Sequence, residues 1–377
     1  MSSLYVFNPE HDWALSQNGV GGSAPQAAVA LRKDLAFLPA LMAADDDFVL
    51  VPNVAHAQHN LQQLGLPTQR VHFIPETNML ADLPLSCVLP WGWDSHICRE
   101  LKRRGVSPAL MPTVEQCDTI RHLSHRRHTR SLLQALHHTV DKEYIVGEST
   151  LLTSCEDVNQ YVQIEKKAVL KAPWSSSGRG IMTVVDGHLT DMQWRRVQNV
   201  LQHQQGVMGE PWYDKVQDLA MEFYVDSNGI VDYLGLSLFT TTAAQYAGNL
   251  IADESYKRSY VNRFIPLHVF DDVCQSLCSL LQQWLNKNYQ GLLGVDMMIV
   301  HADGTKKDTA PFVLHPCVEV NLRCTMGHVA LALSKLMPAS MTEMRIVHQH
   351  GFALQLSTPS AYVVKSCNGE EGSKKRR

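Results

Sequence analysis

The sequence lacks the features that mark membrane and secreted proteins. No apolar run approaches the roughly 20 residues that a membrane-spanning helix needs, so we expect no membrane partner. The nine cysteines are an odd number in a chain of 377 residues, and none forms a Cys-x-x-Cys pair. This usage is typical of reduced thiols, and the first residues do not match a signal peptide. We therefore expect a cytoplasmic protein.

Charge is neither abundant nor one-sided. Charged residues make up 19% of the chain and the formal net charge is -4, so no basic field points to nucleic acid as a partner. Apolar residues make up 45%, which is ordinary for a globular protein, and the length allows two or three domains. Residues 366–377 are polar and charged. We predict a disordered tail there, either solvated or in contact with an acidic partner.

Two common nucleotide-binding motifs are also missing. The chain has no Gly-x-x-x-x-Gly-Lys-Ser/Thr loop, which excludes a kinase or ATPase of the P-loop type. It has no Gly-x-Gly-x-x-Gly after its first predicted strand, so a dinucleotide-binding Rossmann domain is unsupported. A nucleotide site in this chain must therefore be of another kind.

Residues 1–112 alternate short apolar strands with helical segments. Such alternation is typical of an open, mostly parallel α/β sheet, whose ligand site lies at the carboxyl ends of the strands. The polar loops at 8–12 and 91–94 follow predicted strands and are candidates for that site, although helix-capping and turn residues have the same composition. The predicted strands span 4–7, 48–51, 71–74 and 87–90, and the predicted helices span 24–42, 56–64 and 95–104.

The rest of the chain is predicted to form two further units, 113–205 and 206–365. The second begins with a hairpin, because Asp226-Ser227-Asn228-Gly229 is a good turn sequence. A 3.6-residue apolar period from Val273 to Leu285 predicts a long helix. The other predicted helices span 113–138 (two helices), 191–204 and 326–336, and the other predicted strands span 168–171, 181–185, 219–225 and 230–239.

Two later strands carry oxygen ligands in the middle of apolar sequence. Asp296 lies in one strand, and Glu319 and Asn321 lie in the next, two residues apart and therefore on one face. An unpaired carboxylate is costly to bury, so these groups need a partner. Mg²⁺ takes such protein oxygens together with substrate phosphates. We therefore predict a metal site, with an ion pair between Asp296 and an arginine such as Arg323 as the alternative.

A serine- and glycine-rich segment follows the strand that ends at Lys171. Its backbone N–H groups could fold over phosphate oxygens, because glycine permits a close approach. Lys171 and Arg179 add positive charge where an anion would be held. An ordinary turn between two strands has the same composition, so both interpretations stay open. The segment consists of Ser175, Ser176, Ser177, Gly178, Arg179 and Gly180.

In combination, these features resemble the ATP-grasp superfamily, of the type that joins a carboxylate to an amine or a thiol. A cationic strand end, a Gly-rich hairpin, an Asp strand and a Glu-x-Asn strand occur in that order, and the resemblance covers residues 112–336. The layout is similar to that of D-alanine–D-alanine ligase and glutathione synthetase. The resemblance implies an ATP-grasp core of two α+β subdomains, preceded by an open α/β domain.

The resemblance also implies a role for each matching residue. Lys171 looks like the strand lysine that touches adenine and the α-phosphate, and residues 175–180 look like the mobile loop over the outer phosphates. Asp296, Glu319 and Asn321 look like the ligands of two Mg²⁺ ions, with Mn²⁺ as an alternative metal. The implied catalytic cations are Lys171, Arg179 and Arg323. If the strand continues, Arg323 would share a strand face with Asn321, and it could hold the substrate carboxylate or an acylphosphate.

The remaining implied contacts depart further from the family pattern. Arg126 would replace the first nucleotide lysine, so a cation is kept. Glu210, Trp212 and Tyr213 look like the hinge whose backbone meets adenine. Glu222 looks like the carboxylate that holds the ribose hydroxyls, although it lies farther from the hinge than usual. Candidate substrate contacts, or else residues of a solvated loop, are Lys257, Arg258 and Arg263.

The implied activity is that of an ADP-forming ligase. A carboxylate would attack the γ-phosphate of ATP to give an acylphosphate, and an amine or thiol would then displace phosphate. The implied partners are a small-molecule carboxylate and an amine, and a homodimer is the usual assembly for this class. Two alternatives stay open at this point: an ATP-binding regulator without activity, and another phosphoryl transfer on the same scaffold.

Overall fold

The strands that the structure describes form three separate sheets. The computed structural model describes residues 2–17, 22–67, 70–175, 180–242, 245–302, 310–337 and 341–359. Within these residues, two sheets have four strands each and one has seven. A parallel sheet comes first along the chain, and two antiparallel sheets follow. This succession confirms the predicted fold class. The predicted tail, 366–377, lies outside the described residues.

The first sheet is parallel, with strand order β3-β2-β1-β4. The single helix predicted over 24–42 is wrong, because α2 ends at Leu35 and a 3₁₀ turn, Leu38–Leu41, follows. Pro39 in that turn has no N–H and disfavours the α conformation of the residue before it. The elements are β1 (Ser2–Val6), α1 (His11–Ser16), α2 (Gln26–Leu35), β2 (Phe48–Val51), α3 (Val54–Gln63), β3 (His72–Pro75), β4 (Leu85–Pro90) and α4 (Ser95–Arg103).

The second unit places two helices before a small antiparallel sheet of order β5-β8-β6-β7. Its own core lies between that sheet and two further helices, and includes Val158, Leu170 and Val197. Thr113 caps α5 with a reciprocal capping box. The elements are α5 (Val114–Leu123), α6 (Arg127–Thr139), β5 (Thr150–Leu152), α7 (Cys155–Glu165), β6 (Ala168–Lys171), β7 (Ile181–Val184), α8 (Asp191–Gln204) and β8 (Val207–Pro211).

The third unit is built on the seven-stranded sheet, with order β13-β12-β9-β10-β11-β14-β15. The predicted hairpin and the long amphipathic helix are both present, as β9–β10 and α10. The elements are β9 (Lys215–Val225), β10 (Val231–Thr242), β11 (Gln245–Ile251), α9 (Glu254–Val261), α10 (Leu267–Leu285), β12 (Gly291–His301), β13 (Phe312–Asn321), α11 (Met326–Leu336), β14 (Thr342–His348) and β15 (Phe352–Ser357).

The two faces of this large sheet have different chemistry, because side chains alternate along each strand. Met221 and Phe223 point to the main hydrophobic core, which also contains the apolar stripe of α10. Glu222 lies between them in sequence and therefore points to the opposite face. Asp296 is paired with Ala220 in the ladder, and Glu319 is paired with Asp296. The acidic residues of the sheet thus share the face away from the main core.

Within the described residues, no helix has the length and apolar character that a bilayer crossing needs. The eight cysteines of these residues are all free thiols, which agrees with the expected reduced state. The closest approach between thiols of α4 and α5 is 3.5 Å, between the Sγ atoms of Cys98 and Cys117.

Phe223 provides a test of how far the large sheet depends on its core. Its ring is fully buried and lies edge-on to Tyr233, with 5.7 Å between ring centroids. We expect Phe223→Ala to lower the free energy of unfolding by about 3–5 kcal/mol, since the variant loses apolar burial and leaves a cavity. Urea denaturation followed by circular dichroism measures the change. The matched control, Met192→Ala, lies at a position 72% exposed and should change stability by less than about 0.5 kcal/mol. Equal losses of stability in the two variants would contradict the assignment of Phe223 to the core of the large sheet.

Candidate active site

Asp296, Glu319 and Asn321 lie together on the large sheet. Asp296 and Glu319 are directly opposite each other in the antiparallel ladder between β12 and β13. Asn321 lies two residues farther along β13, and its Nδ2 donates to Oδ2 of Asp296 at 3.2 Å. The alternation of the strands therefore brings the three predicted metal ligands to one place. Asp296 forms no ion pair within the described residues, and Arg323 is paired with Asp12 instead.

The electrostatics of this group favour the arrival of a cation. The surrounding protein raises the pKa of Asp296 to about 7, first by removing water and then through the negative charge of Glu319. Within the described residues, no group of three or more His, Cys, Asp or Glu is arranged to hold a metal. The predicted set has two carboxylates and one amide, so substrate phosphates would have to complete the shell of a Mg²⁺ ion. The adjacent carboxylates of Asp296 and Glu319 would attract such an ion.

Arg126 connects this group to the second unit. It precedes the first residue of α6, is 6% exposed, and forms an ion pair with Glu319. The same guanidinium donates to the carbonyl of Ala172, to the hydroxyl of Ser175 at 2.7 Å and to the carbonyl of Ser175 at 3.0 Å. Arg126 therefore ties the strand of the predicted metal ligands to the start of the predicted phosphate loop.

Lys171 and Glu210 form a buried ion pair on the small sheet. Nζ of Lys171 lies 2.5 Å from Oε2 of Glu210, and both residues are less than 10% exposed. His315 lies near this pair, and burial, followed by the charge of Lys171, lowers the pKa of its imidazole to about 3. Tyr213 packs edge-on against His315 with 5.4 Å between ring centroids. Trp212, by contrast, is 50% exposed. Two of the three predicted hinge residues thus contribute side chains to the interior.

Only the ends of the predicted phosphate loop belong to the described residues. Ser176, Ser177, Gly178 and Arg179 lie outside them. At the near end, the N–H of Ala172 donates to the carbonyl of Gly180 at 2.9 Å and closes the hairpin between β6 and β7. The predicted contacts of this loop with a nucleotide therefore stay predictions.

Arg323 joins the large sheet to the first sheet. Its Nε lies 3.0 Å from Oδ2 of Asp12, and its terminal nitrogen donates to Oδ1 of Asn321 at 2.9 Å. The strand does not continue as far as Arg323, because β13 ends at Asn321. The backbone turns there so that the N–H of Arg323 donates back to the carbonyl of Asn321 at 2.8 Å. The side chain nevertheless reaches the predicted metal ligands.

The loop at 8–12 takes part in a buried hydrogen-bond network, which could not be predicted from its composition. Nδ1 of His11 lies 3.1 Å from Oδ2 of Asp94, and both residues are less than 5% exposed. Asp94 also caps α4, accepting from two backbone N–H groups of its first turn. A side chain at Gly92 would come within 2.6 Å of the His11 ring, so this close approach requires glycine. The one feature of the sequence that pointed to this contact is that the loops at 8–12 and 91–94 both follow predicted parallel strands.

Glu222 is covered by the first turn of α11 and is 1% exposed, so a ribose hydroxyl has no access to it in this arrangement. Burial, followed by the charge of Asp296, raises the pKa of Glu222 to about 8. Nδ1 of His328 lies 3.1 Å from Oε2 of Glu222 and already accepts from the N–H of Thr325. An ionised Oε2 of Glu222 would face the lone pair of that nitrogen, which disfavours the charged form of the carboxyl group.

Two of the candidate substrate contacts have structural partners instead. Nζ of Lys257 is buried, donates to the carbonyl of Leu236 at 2.5 Å and lies 3.2 Å from Glu254. Arg258 forms an ion pair with Asp271 at 2.6 Å. The segment that the sequence analysis took for a candidate solvated loop contains the helix α9. The bond from Lys257 to Leu236 ties α9 to the large sheet, and the pair between Arg258 and Asp271 ties α9 to α10.

The chain was compared with known proteins. No family model and no curated protein matches it. Among solved structures, it is similar to an N5-carboxyaminoimidazole synthetase from Staphylococcus aureus complexed with ADP, with 8% identity, 97% of this chain and 95% of that chain covered, and a TM-score of 0.48. It is also similar to the biotin carboxylase domain of Hydrogenobacter thermophilus 2-oxoglutarate carboxylase. That comparison has 11% identity and a TM-score of 0.48, and it covers 92% of this chain and 74% of that chain.

A third similar structure comes from Archaeoglobus fulgidus and is provisionally assigned to the ATP-grasp superfamily. It shares 13% identity, covers 96% of this chain and 100% of its own chain, and has a TM-score of 0.43. Identities this low do not transfer a substrate or a reaction to the chain.

Because of Glu222, we expect the stability of the folded protein to fall as the pH rises. Its pKa in the folded protein, about 8, is above the ordinary value of 4.5, so unfolding releases a proton between these limits. We expect the stability of the protein to fall as the pH rises from about 5 to about 8, and this contribution to level off above that range. Glu222→Gln should remove it. Urea midpoints at pH 6 and pH 9 measure the difference.

The matched control for this experiment is Glu143→Gln, because Glu143 is an exposed glutamate outside the sheets. It should keep the pH dependence of the original protein. If Glu222→Gln and Glu143→Gln gave the same pH dependence, Glu222 would be ionised in the folded protein.

Proposed function

We propose that the chain is an ATP-grasp enzyme, an ADP-forming ligase that activates a small-molecule carboxylate as an acylphosphate and joins it to an amine. One observation carries the proposal. Cations of the second unit meet the oxygen ligands of the large sheet, and the bond between Arg126 and Glu319 is the point where they meet. A nucleotide held by the second unit would therefore present its phosphates to Asp296 and Glu319.

The residues have separate tasks in this proposal. Lys171 and the backbone of the hinge at Glu210 hold the nucleotide, and Arg126 and the 175–180 segment hold its phosphates. Asp296, Glu319 and Asn321 would hold Mg²⁺, which supplies charge neutralisation at the phosphates when bound. Arg323 lies 2.9 Å from Asn321 and contacts Asp12 of the first unit, so it is placed to orient the carboxylate of the acceptor.

The proposed reaction has two steps. An oxygen of the substrate carboxylate attacks the γ-phosphorus, the bond to ADP breaks, and an acylphosphate forms. The amine then attacks the acyl carbon, phosphate leaves, and the nitrogen gives up a proton. Fixed cations stabilise the charge on the transferring group, which requires no covalent enzyme nucleophile. The contacts between the three units would exclude water, which would otherwise hydrolyse the acylphosphate.

Nucleotide binding is tested at Lys171. We expect Lys171→Met to raise the Kd for Mg-ATP at least about tenfold, because the variant loses a charge-assisted hydrogen bond in a buried site. Isothermal titration calorimetry measures the affinity, and a thermal denaturation curve checks that the fold is kept. Lys167→Met, at an exposed lysine just before the same strand, is the control and should bind as the original protein does. Equal affinities for the two variants would remove Lys171 from the site.

Catalysis is tested at the two carboxylates. We expect Asp296→Asn and Glu319→Gln each to lower the rate of ADP formation by at least about 10²-fold, since each removes charge at the transferring phosphoryl group. The assay is ADP release with pools of amino acids and small carboxylic acids. Asp232→Asn, at an exposed aspartate of β10, is the control. Undiminished ADP formation in both variants would end the proposal. Tight Mg-ATP binding without ADP release from any pool would favour a regulator.

A further inference from the structure

A cavity of about 450 Å³ lies between the first sheet, the large sheet and α11. Its volume is in the range of small-molecule binding sites. Trp91, Cys324 and His328 are buried and form part of its floor. Leu234 and Lys335 are exposed and lie at its mouth. None of the predicted nucleotide or metal residues lines it, whereas Trp91, Gly92 and Trp93 of the predicted ligand loop at 91–94 do.

One segment of chain separates this cavity from the candidate active site. The N–H of Cys324 donates to the carbonyl of Trp91 at 2.7 Å, which joins the end of the large sheet to the loop after β4. Leu322 and His11 border the side that also contains Glu319. Cys324 and Trp91 border the cavity. The cavity is therefore adjacent to the candidate active site without being part of it.

The floor of the cavity carries no charge at neutral pH. Burial raises the pKa of the Cys324 thiol well above its ordinary value, so it stays protonated. Burial lowers the pKa of His328 to about 4, so its imidazole is neutral. Burial raises the pKa of Tyr5 to about 12, so its hydroxyl stays a donor. Apolar side chains supply much of the remaining wall, among them Pro39, Leu41, Leu292 and Leu331.

The charged side chains of the lining are both cations. Arg70 is half-buried, and its Nε lies 3.0 Å from Oδ1 of Asp45, a residue whose side chain is 76% exposed. Lys335, in the last turn of α11, makes no ion pair with any part of the chain that the structure describes. No Asp or Glu among the residues that the structure describes lines the cavity. The chemistry therefore changes from apolar at the floor to positive at the mouth.

We propose that this cavity binds an amphipathic organic anion, with its apolar body against Trp91 and Leu331 and its single anionic head beside Lys335. The apolar floor accounts for the body, because transfer of apolar surface out of water is the main favourable term in such sites. The ammonium of Lys335 at the mouth, which has no ion-pair partner among the described residues, accounts for the head. The site is distinct from the one in the proposed function, so it can be tested without nucleotide.

The test uses the full chain and two carboxylate probes of different shape, decanoate and naphthalene-2-carboxylate, titrated by calorimetry below their aggregation concentrations. We expect saturable binding of at least one probe. Ala332→Phe, which places a ring in the cavity from α11, should abolish that binding. If the phenylalanine variant fails to fold, Ala332→Leu provides a smaller side chain in the same place and should weaken the binding. The control Ala55→Phe adds the same ring at an exposed position of α3 and should bind as the original protein does.

The role of the head group is tested separately. Lys335→Gln should weaken binding of the charged probe about two- to fivefold, as expected for an exposed ion pair, and should leave the binding of 1-decanol unchanged. Lys102→Gln, also in the last turn of a helix, is the matched control.

Three results would overturn the proposal. Absence of saturable binding for both carboxylates would remove the site. Unchanged binding in Ala332→Phe would place the probe elsewhere on the protein. Equal loss of decanoate and 1-decanol affinity in Lys335→Gln would remove the anionic head from the assignment. None of these results bears on ADP formation.

Discussion

Paired charges at the junctions between units are the constraint on which the arrangement depends. The ion pair between Arg126 and Glu319 joins the second unit to the large sheet, and that between Arg323 and Asp12 joins the large sheet to the first unit. Both pairs are partly buried, so removing one partner would leave a charge that water compensates only in part. The units can therefore meet only where opposite charges meet. The same side chains are the ones proposed to hold phosphates and an acceptor carboxylate.

Two carboxyl groups on the large sheet differ from this pattern. Among the described residues, neither Asp296 nor Glu222 forms an ion pair with Lys or Arg, and burial is the main reason why the pKa of each is raised, to about 7 and about 8. An excess of negative groups over cations at one point makes the folded chain receptive to added positive charge. This attraction for a cation depends on the register between β12 and β13, since Asp296 and Glu319 face each other only in that register.

The sequence allowed much of the fold and part of the site to be predicted. Periodicity located the long helix from Val273 to Leu285 and the hairpin before it, because both depend on local spacing. Alternation along one strand placed Glu319 and Asn321 together, and the neighbouring strand supplied Asp296. The pairing of His11 with Asp94 could not be predicted, since it depends on which parallel strands are neighbours and residues 83 apart must meet. The turn after Asn321 also depends on a tertiary contact, the pair between Arg323 and Asp12.

The hydrogen bond from Cys324 to Trp91 has a further consequence. It belongs to a partition with a cavity on one side and the proposed phosphate-transfer groups on the other. A ligand that displaced this partition from either side would alter the affinity on the opposite side, and thermodynamic linkage makes that effect equal in both directions. Binding on one side would thus be coupled to binding on the other to the extent that each ligand shifts this contact.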